Sequence, residues 1–115
     1  MKIAIDFDGT IVEDQYPAIG NELPFATGVL KRLQENGHQL ILWTTREDHE
    51  LEEALHFCKQ KGLEFYAVNQ NYPGENPGVN NESKIRADLF IDKKNLGGTL
   101  TWPEMYWMIQ LQMVG

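Results

Sequence analysis

Four short apolar runs along the chain have the length and composition of buried β-strands. They cover residues 3–5, 39–43, 65–68 and 89–91. Runs of this kind, bounded by turn or polar residues, are typical of the inner strands of a parallel sheet, which are covered on both faces. The pattern therefore predicts a sheet of four strands.

Between these runs, apolar residues recur at the three- and four-residue spacing of amphipathic helices. The predicted helices run from Pro24 to the Asn36-Gly37 pair, from Glu47 or Asp48 to Gly62, and over residues 103–114. Proline is common at the start of a helix and glycine just after its end. Thr45 is a candidate N-terminal cap for the second helix.

The alternation of strands with helices implies right-handed crossovers and a parallel sheet. The expected fold class is α/β, a single-domain Rossmann-like three-layer sandwich over residues 1–115 with helices on both faces of the central sheet. Residues 11–23 show no sustained helical or strand period. We interpret them as a loop or small hairpin beside the candidate site.

The composition is that of an ordinary globular domain, with 115 residues of which 42% are hydrophobic. The chain has no apolar run approaching the roughly 18 residues that a membrane span needs, and its first strand begins at residue 2, which leaves no room for a cleaved signal. The single cysteine, Cys58, cannot form an internal disulfide, which fits a reducing compartment. We expect a cytoplasmic protein without membrane contact.

The formal net charge of −7 at pH 7 bears on the choice of partner. Proteins that bind nucleic acid through its phosphate backbone need clustered Lys and Arg, so no nucleic-acid partner is expected. A small phosphate ester is still compatible with the chain, because a bound Mg²⁺ inverts the local charge.

The most informative stretch is the end of the first strand, where Asp6 and Asp8 flank one residue and are followed by Gly9 and Thr10. In open α/β sheets the carboxyl ends of the strands border the ligand crevice. The chain can turn at Gly9, so both acids can converge on one cation or phosphoryl group. The alternative interpretation is a pair of solvated turn acids, because turns favour Asp next to Gly.

Other strand ends also carry polar groups. Thr44, Thr45 and Arg46 follow the second strand, Lys84 lies in a short turn over residues 83–87, and Asp92 follows the fourth strand. Thr44 is favoured over Thr45 because it adjoins the apolar run. Arg46 could reach a substrate phosphate, but a solvent-facing or Glu-paired role is equally compatible with the sequence.

Three groups of residues have simpler interpretations. His38, His49 and His56 do not have the spacing of a metal set, and Cys58 lies on an apolar helix stripe that indicates a core position. The large side chains of residues 106–108 pack either against the sheet or at a subunit contact, which leaves a homo-oligomer open.

In this order and spacing the motifs resemble those of the haloacid dehalogenase superfamily over nearly the whole chain. Residues 6–10 are similar to its first motif, DxDGT, and residues 40–44 to its second, an apolar strand ending in Thr or Ser. Lys84 matches the third motif by position, and residues 89–92 are similar to the fourth, an apolar strand ending in an acid. Of the four motifs, the first is specific to the family, and the other three are informative only in this order and spacing.

The resemblance implies a role for each residue. Asp6 is the expected nucleophile, which forms an aspartyl-phosphate, and Asp8 the expected acid and base. Thr44 is expected to bind the phosphoryl oxygens, and Lys84 to offset the negative charge. The family binds Mg²⁺ through the equivalents of Asp6, Asp92 and the backbone carbonyl of Asp8, so these three residues are expected to meet at one rim of the sheet.

Two departures from the family pattern stand out. Many members follow the Asp of the fourth motif with a second acid, whereas this chain has Lys93. Asp88 is a poor substitute, since four residues along a strand span roughly 13 Å. The segments between the motifs are taken up by a flap, helices and a strand, so no cap domain fits. Capless members leave the site open and tend to act on large substrates or to borrow a lid.

The sequence thus predicts a small, capless, Mg²⁺-dependent phosphatase that acts on a phosphorylated substrate. Two alternatives use the same residues: a phosphomutase or other phosphoryl transferase, and a catalytically weak domain that binds Mg²⁺ and a phosphorylated partner. Lys93 motivates the second alternative. Substrate choice is expected to depend on residues 11–23 and 69–82.

Overall fold

The computed structural model describes residues 1–75, 86–92 and 101–114 of the chain. Within these ranges the strands are β1 (Lys2–Ile5), β2 (Gln39–Leu42), β3 (Ala67–Val68) and β4 (Leu89–Ile91), and the helices are α1 (Ala26–Glu35), α2 (Asp48–Gln60) and α3 (Trp102–Val114). None of the helices in the described ranges is both long and apolar enough to cross a bilayer.

The four strands form a parallel sheet in the order β3-β2-β1-β4. β1 lies inside the sheet, where Ile5 is in register with Leu42 on one side and with Ile91 on the other. The predicted parallel sheet and the Rossmann-like α/β fold are confirmed. This register matters for the site because it aligns the residues that follow β1, β2 and β4.

The core is divided by the sheet. Ile3, Ile5, Leu40 and Leu42 point to the face on which the described helices pack, and all four are buried. The opposite face is smaller and centres on three other buried side chains. These are Ala4, Ile41 and Ala67. Helices were predicted on both faces of the sheet, but the three helices of the described ranges all pack on the first face, and none of them contributes to the second cluster.

The ends of several elements differ from the predictions. β3 is two residues long instead of four, because it is an edge strand that pairs only with β2 in the described sheet. α1 begins at Ala26, after Phe25 with a left-handed φ of 67°. α2 begins at Asp48 as predicted, but its cap residue is Glu47 and no side chain caps it, so the prediction of Thr45 as cap was wrong.

Residues 11–23 form a small hairpin, which we call the flap. The Glu13 N–H donates to the Asn21 carbonyl at 2.7 Å, and the Leu23 N–H donates to the Ile11 carbonyl at 2.9 Å. Gly20 is required by close packing: a Cβ there would lie 2.1 Å from the Glu13 carbonyl oxygen. Of the two alternatives for this segment, the hairpin is the one found.

Candidate functional site

Asp6 and Asp92 lie side by side at the carboxyl ends of adjacent strands. Each follows one member of the Ile5–Ile91 pair, and the Asp6 N–H donates to the Ile91 carbonyl at 3.0 Å. Both acids line one cavity of about 320 Å³. The described residues that line it are Ala4, Asp6, Trp43, Thr44, Thr45, Phe90, Ile91 and Asp92. The predicted approach of residues 6 and 92 at one rim is therefore found.

The orientation of Asp6 is fixed locally. Its Oδ1 accepts a hydrogen bond of 2.9 Å from the N–H of the next residue, Phe7. Asp6 is half-buried, whereas Ile5 and Phe7 on either side are fully buried. The carboxylate thus stands at the boundary between the core and the cavity.

Thr44 is held more tightly than Thr45. Its N–H donates to Asn69 Oδ1 at 2.8 Å, and its hydroxyl oxygen accepts the Arg46 N–H at 3.1 Å. Thr44 is buried and Thr45 is exposed. Both line the cavity, so the preference for Thr44 as the phosphate ligand stays a prediction.

Asn69 is a site residue that the sequence reasoning missed. It follows β3 with φ at 52°, and its own N–H donates to the Leu42 carbonyl at 2.8 Å. Asn tolerates the left-handed region better than most residues. Its place directly after a strand was the available signal, and its function is to hold Thr44 in position.

Asp8 is paired with Arg46 through both carboxylate oxygens. Arg46 Nε donates to Asp8 Oδ2 at 2.7 Å, and Nη2 donates to Oδ1 at 2.8 Å. Arg46 is fully buried, and 16% of the Asp8 side chain is exposed. A fork-to-fork geometry of this kind fixes the plane of the carboxylate as well as its distance.

The same guanidinium also joins two further segments. Nη1 donates to the carbonyls of Pro17 at 3.1 Å and Glu50 at 3.3 Å, and Nη2 donates to the Ala18 carbonyl at 2.9 Å. Arg46 therefore connects the loop after β1, the flap and α2. The backbone carbonyls replace the water that the buried charge has lost.

Two aromatic rings and the ion pair complete the surroundings of Arg46. Its Cζ lies 5.2 Å from the centre of the Phe7 ring and 5.1 Å from that of Tyr16, within cation–π range. The hydrogen bond to Asp8 raises the pKa of Arg46 above its ordinary value. Arg46 therefore stays charged although it is buried.

This arrangement corrects the interpretations of Arg46. It faces neither solvent nor a Glu side chain, and it is not among the residues that line the cavity with Asp6. Only the apolar run before it and the acid at Asp8 hinted at this role. The two residues are 38 positions apart, and no sequence pattern indicates that their side chains are in contact.

Two of the three predicted metal residues share the cavity, and the side chain of the third does not. Asp6 and Asp92 line the cavity, but the Asp8 carboxylate is turned to Arg46. Among the described residues, no three His, Cys, Asp or Glu side chains are grouped so that they could hold a metal ion. Any contribution from Asp8 would have to come from its backbone carbonyl.

Comparison with models of protein families gives no match, and comparison with curated proteins gives none either. Among solved structures, the chain is similar to a conserved protein coded by a locus of Bacteroides thetaiotaomicron. The identity is 51%, the match covers 97% of this chain and 91% of the other, and the TM-score is 0.87. The chain belongs to the family of that protein.

A second solved structure is a D,D-heptose 1,7-bisphosphate phosphatase from B. bronchiseptica complexed with magnesium and phosphate. It is 20% identical, with 58% of this chain and 47% of the other covered and a TM-score of 0.45. An overlap of this extent carries no argument about the activity of the present chain.

Several predicted features lie outside the described residues. They include Lys84, Lys93 and most of the turn over residues 83–87. Of the loop over residues 69–82, the structure describes residues 69–75.

Cys58 lies in the core as predicted, and the three histidines lie in different surroundings. His49 and His56 are exposed on α2, and His49 Nε2 lies 2.7 Å from Glu53 Oε1. His38 is buried beside the N-terminal amine at 3.2 Å, and burial lowers its pKa. Cys58 is a core residue, and burial raises the pKa of its thiol to about 12. A thiol of that pKa is a poor nucleophile.

Proposed function

We propose that the chain is a Mg²⁺-dependent phosphomonoester hydrolase of the haloacid dehalogenase type, which works through an aspartyl-phosphate. The observation that carries the proposal is the shared cavity of Asp6 and Asp92, with Thr44 at its wall, at the carboxyl edge of a parallel sheet. The DxDGT-like stretch over residues 6–10 supports it.

The residues at the cavity fit a magnesium ion. The donors are all oxygens, as Mg²⁺ prefers, and proteins usually bind it through one or two carboxylates with several waters completing the octahedron. Asp6, Asp92 and the backbone carbonyl of Asp8 would hold the ion. When bound, it supplies positive charge that offsets the repulsion between the nucleophilic carboxylate and the phosphate.

Asp6 would act as the nucleophile. An Asp6 carboxylate oxygen attacks phosphorus, the bond from phosphorus to the ester oxygen breaks, and the alcohol leaves with a proton. Water then hydrolyses the aspartyl-phosphate, which releases phosphate and restores the carboxylate. The bond from the Phe7 N–H holds Asp6 in one orientation during both steps.

Thr44 and Lys84 would stabilise the transferring group. The Thr44 hydroxyl oxygen already accepts the Arg46 N–H, so its hydrogen is directed elsewhere and can be donated to a phosphoryl oxygen. Thr45 lines the cavity beside it and is a second candidate donor. Lys84 would offset negative charge, as the resemblance implies.

Asp8 would carry the proton between water and the leaving oxygen, and Arg46 would be its positioning residue. Both Asp8 oxygens accept hydrogen bonds from Arg46. Each oxygen keeps a second lone pair, which can take up the proton while Arg46 holds the side chain in place.

The same contact favours a second candidate function, a catalytically weak domain that binds Mg²⁺ and a phosphorylated partner. If the pair with Arg46 keeps Asp8 from taking up and releasing the proton, turnover is slow even with substrate bound. Calorimetry with Mg²⁺, combined with a broad panel of phosphate esters, distinguishes the two: binding without turnover selects the weak domain. An acceptor sugar that competes with water would instead reveal a transferase.

The direct test uses an aryl phosphate with Mg²⁺ and with EDTA. Hydrolysis is expected only with the metal, and Asp6→Asn is expected to abolish it, because the amide cannot form the acyl phosphate. Asp88→Asn is the matched control, since that carboxylate accepts the Lys2 N–H at 2.8 Å at the opposite end of the sheet. Comparable turnover in Asp6→Asn and the unaltered protein would refute the nucleophile.

A further inference from the structure

The outward face of α3 is apolar except for Glu104 in its first turn. The helix has 13 residues, of which Glu104 is the charged one. Trp102, Met105 and Ile109 point inward and are buried. A helix on the surface of a protein normally presents polar residues on its other side. Here the outward positions include Trp107 at 64% exposure, Met108 at 44% and Leu111 at 71%.

The neighbouring part of α1 continues this apolar area. Phe25, at the start of α1, is 68% exposed. Between the two helices lies a recess of about 320 Å³, with Gly28 and Val29 at its floor and Tyr106 and Trp107 along its α3 side. A Cβ built on Gly28 meets no heavy atom within 4 Å, so the space above this residue is open. We call Phe25, Gly28, Trp107, Met108 and Leu111 the α1–α3 surface.

We propose that the α1–α3 surface is the interface of a symmetric homodimer. In a two-fold interface the same patch meets itself, so it must contain both a projection and a matching recess. This surface has both: the Trp107 ring projects, and the space over Gly28 receives. A two-fold axis between them seats the Trp107 of each copy in the recess of the other.

The size of the surface agrees with a dimer. The exposed parts of its four large apolar side chains amount to on the order of 500 Å². A standard interface buries about 800 Å² per partner, and homodimer interfaces are about 65% apolar. The α1–α3 surface thus supplies the apolar share of one such interface.

The charges at this surface permit self-association in spite of the net charge of −7. The charged residue that lines the recess is Arg32, and its guanidinium carbon lies 5.8 Å from the centre of the Tyr106 ring. Among the described residues, no acid lines the recess. Glu104 is exposed on the same side of α3, three residues before Trp107, and its carboxylate accepts a hydrogen bond of 2.9 Å from the Thr101 hydroxyl. The acid thus lies at the N-terminal edge of the α1–α3 surface, and apolar side chains form the centre of the contact.

Gly28→Leu is the sharpest test, because it has opposite effects on the fold and on the dimer. Glycine in the middle of a helix is unfavourable relative to leucine, and an added Cβ meets no heavy atom of its own copy within 4 Å, so the monomer is expected to become more stable. The same side chain fills the recess that receives Trp107. The dimer dissociation constant, measured by sedimentation equilibrium, is expected to rise at least tenfold.

Leu111→Glu is the second variant, and Tyr72→Glu is its control. Tyr72 is 48% exposed but lies outside the α1–α3 surface. The first substitution should give a monomer with an unchanged fold by circular dichroism, and the second should leave the dimer intact. Three results overturn the proposal: a wild-type monomer at its highest soluble concentration, a dimer unaffected by Gly28→Leu and Leu111→Glu, or a monomer that binds phosphatidylcholine vesicles through this surface. The phosphatase assay is independent of all three.

Discussion

Arg46 is a charged side chain in a fully buried position, and each contact that stabilises it also positions part of the site. A buried guanidinium is tolerated when a carboxylate pairs with it and when its remaining donors find acceptors. Asp8 satisfies the first condition, and the carbonyls of Pro17, Ala18 and Glu50 satisfy the second. One residue therefore joins Asp8 to the flap and to α2.

Arg46→Met is expected to destabilise the protein by about 3 kcal/mol, because removal of one partner leaves the other charge poorly compensated. Arg46→Lys keeps the positive charge but not the two parallel hydrogen bonds to Asp8, so the loss of stability should be smaller than in Arg46→Met. Urea unfolding measures both. The double variant Arg46→Met/Asp8→Asn should recover part of the loss, since no unpaired charge is left. Equal midpoints for Arg46→Met and the unaltered protein would contradict the pairing.

At the scale of elements, the sequence was most informative about β1, β2 and β4 and about the three helices, whose apolar patterns are regular. β3 was less predictable: of the four predicted residues, only Ala67 and Val68 are in strand register with β2, although the Tyr66 N–H also donates to the Leu40 carbonyl at 2.7 Å. The carboxyl-edge rule brought Asp6 and Asp92 together correctly. The Asp8–Arg46 pair was out of reach, because it depends on how the flap folds over the loop after β1.

The flap provides a prediction at this scale. Gly20→Ala should destabilise the protein by about 1–3 kcal/mol, because the new Cβ would overlap the Glu13 carbonyl across the hairpin. Gly28→Ala is the matched control, since its Cβ meets no atom within 4 Å, and it should stabilise α1 by about 1 kcal/mol. Thermal unfolding of dilute protein distinguishes them. If the unfolding temperature shifted in the same direction in both variants, the close contact at Gly20 would not be what determines the effect of the substitution.

At the scale of the whole molecule, the parallel pairing of the strands brings together residues that are far apart along the chain. Asp6, Thr44 and Asp92 come from three separate strand ends, and the sheet order β2-β1-β4 places them around one cavity with Asp6 in the middle. No single element could assemble this set.

Asp92→Asn tests this assembly. If Asp6 and Asp92 share a magnesium ion, loss of one carboxylate should raise the Mg²⁺ dissociation constant at least about tenfold, as isothermal calorimetry would measure. Asp88 lies in the same segment, but its carboxylate accepts the Lys2 N–H. The Asp88→Asn variant should therefore bind Mg²⁺ with unchanged affinity. An equal loss in both variants would point to a general charge effect and not to coordination.

Arg46 contacts the flap through hydrogen bonds to its backbone, and this has an evolutionary consequence. The guanidinium binds the carbonyl oxygens of Pro17 and Ala18, which every amino acid possesses, and makes no demand on the side chains at those positions. Mutations at the tip of the hairpin can therefore accumulate without loosening its anchor. The flap can thus change its exposed side chains while Arg46 keeps its backbone in place.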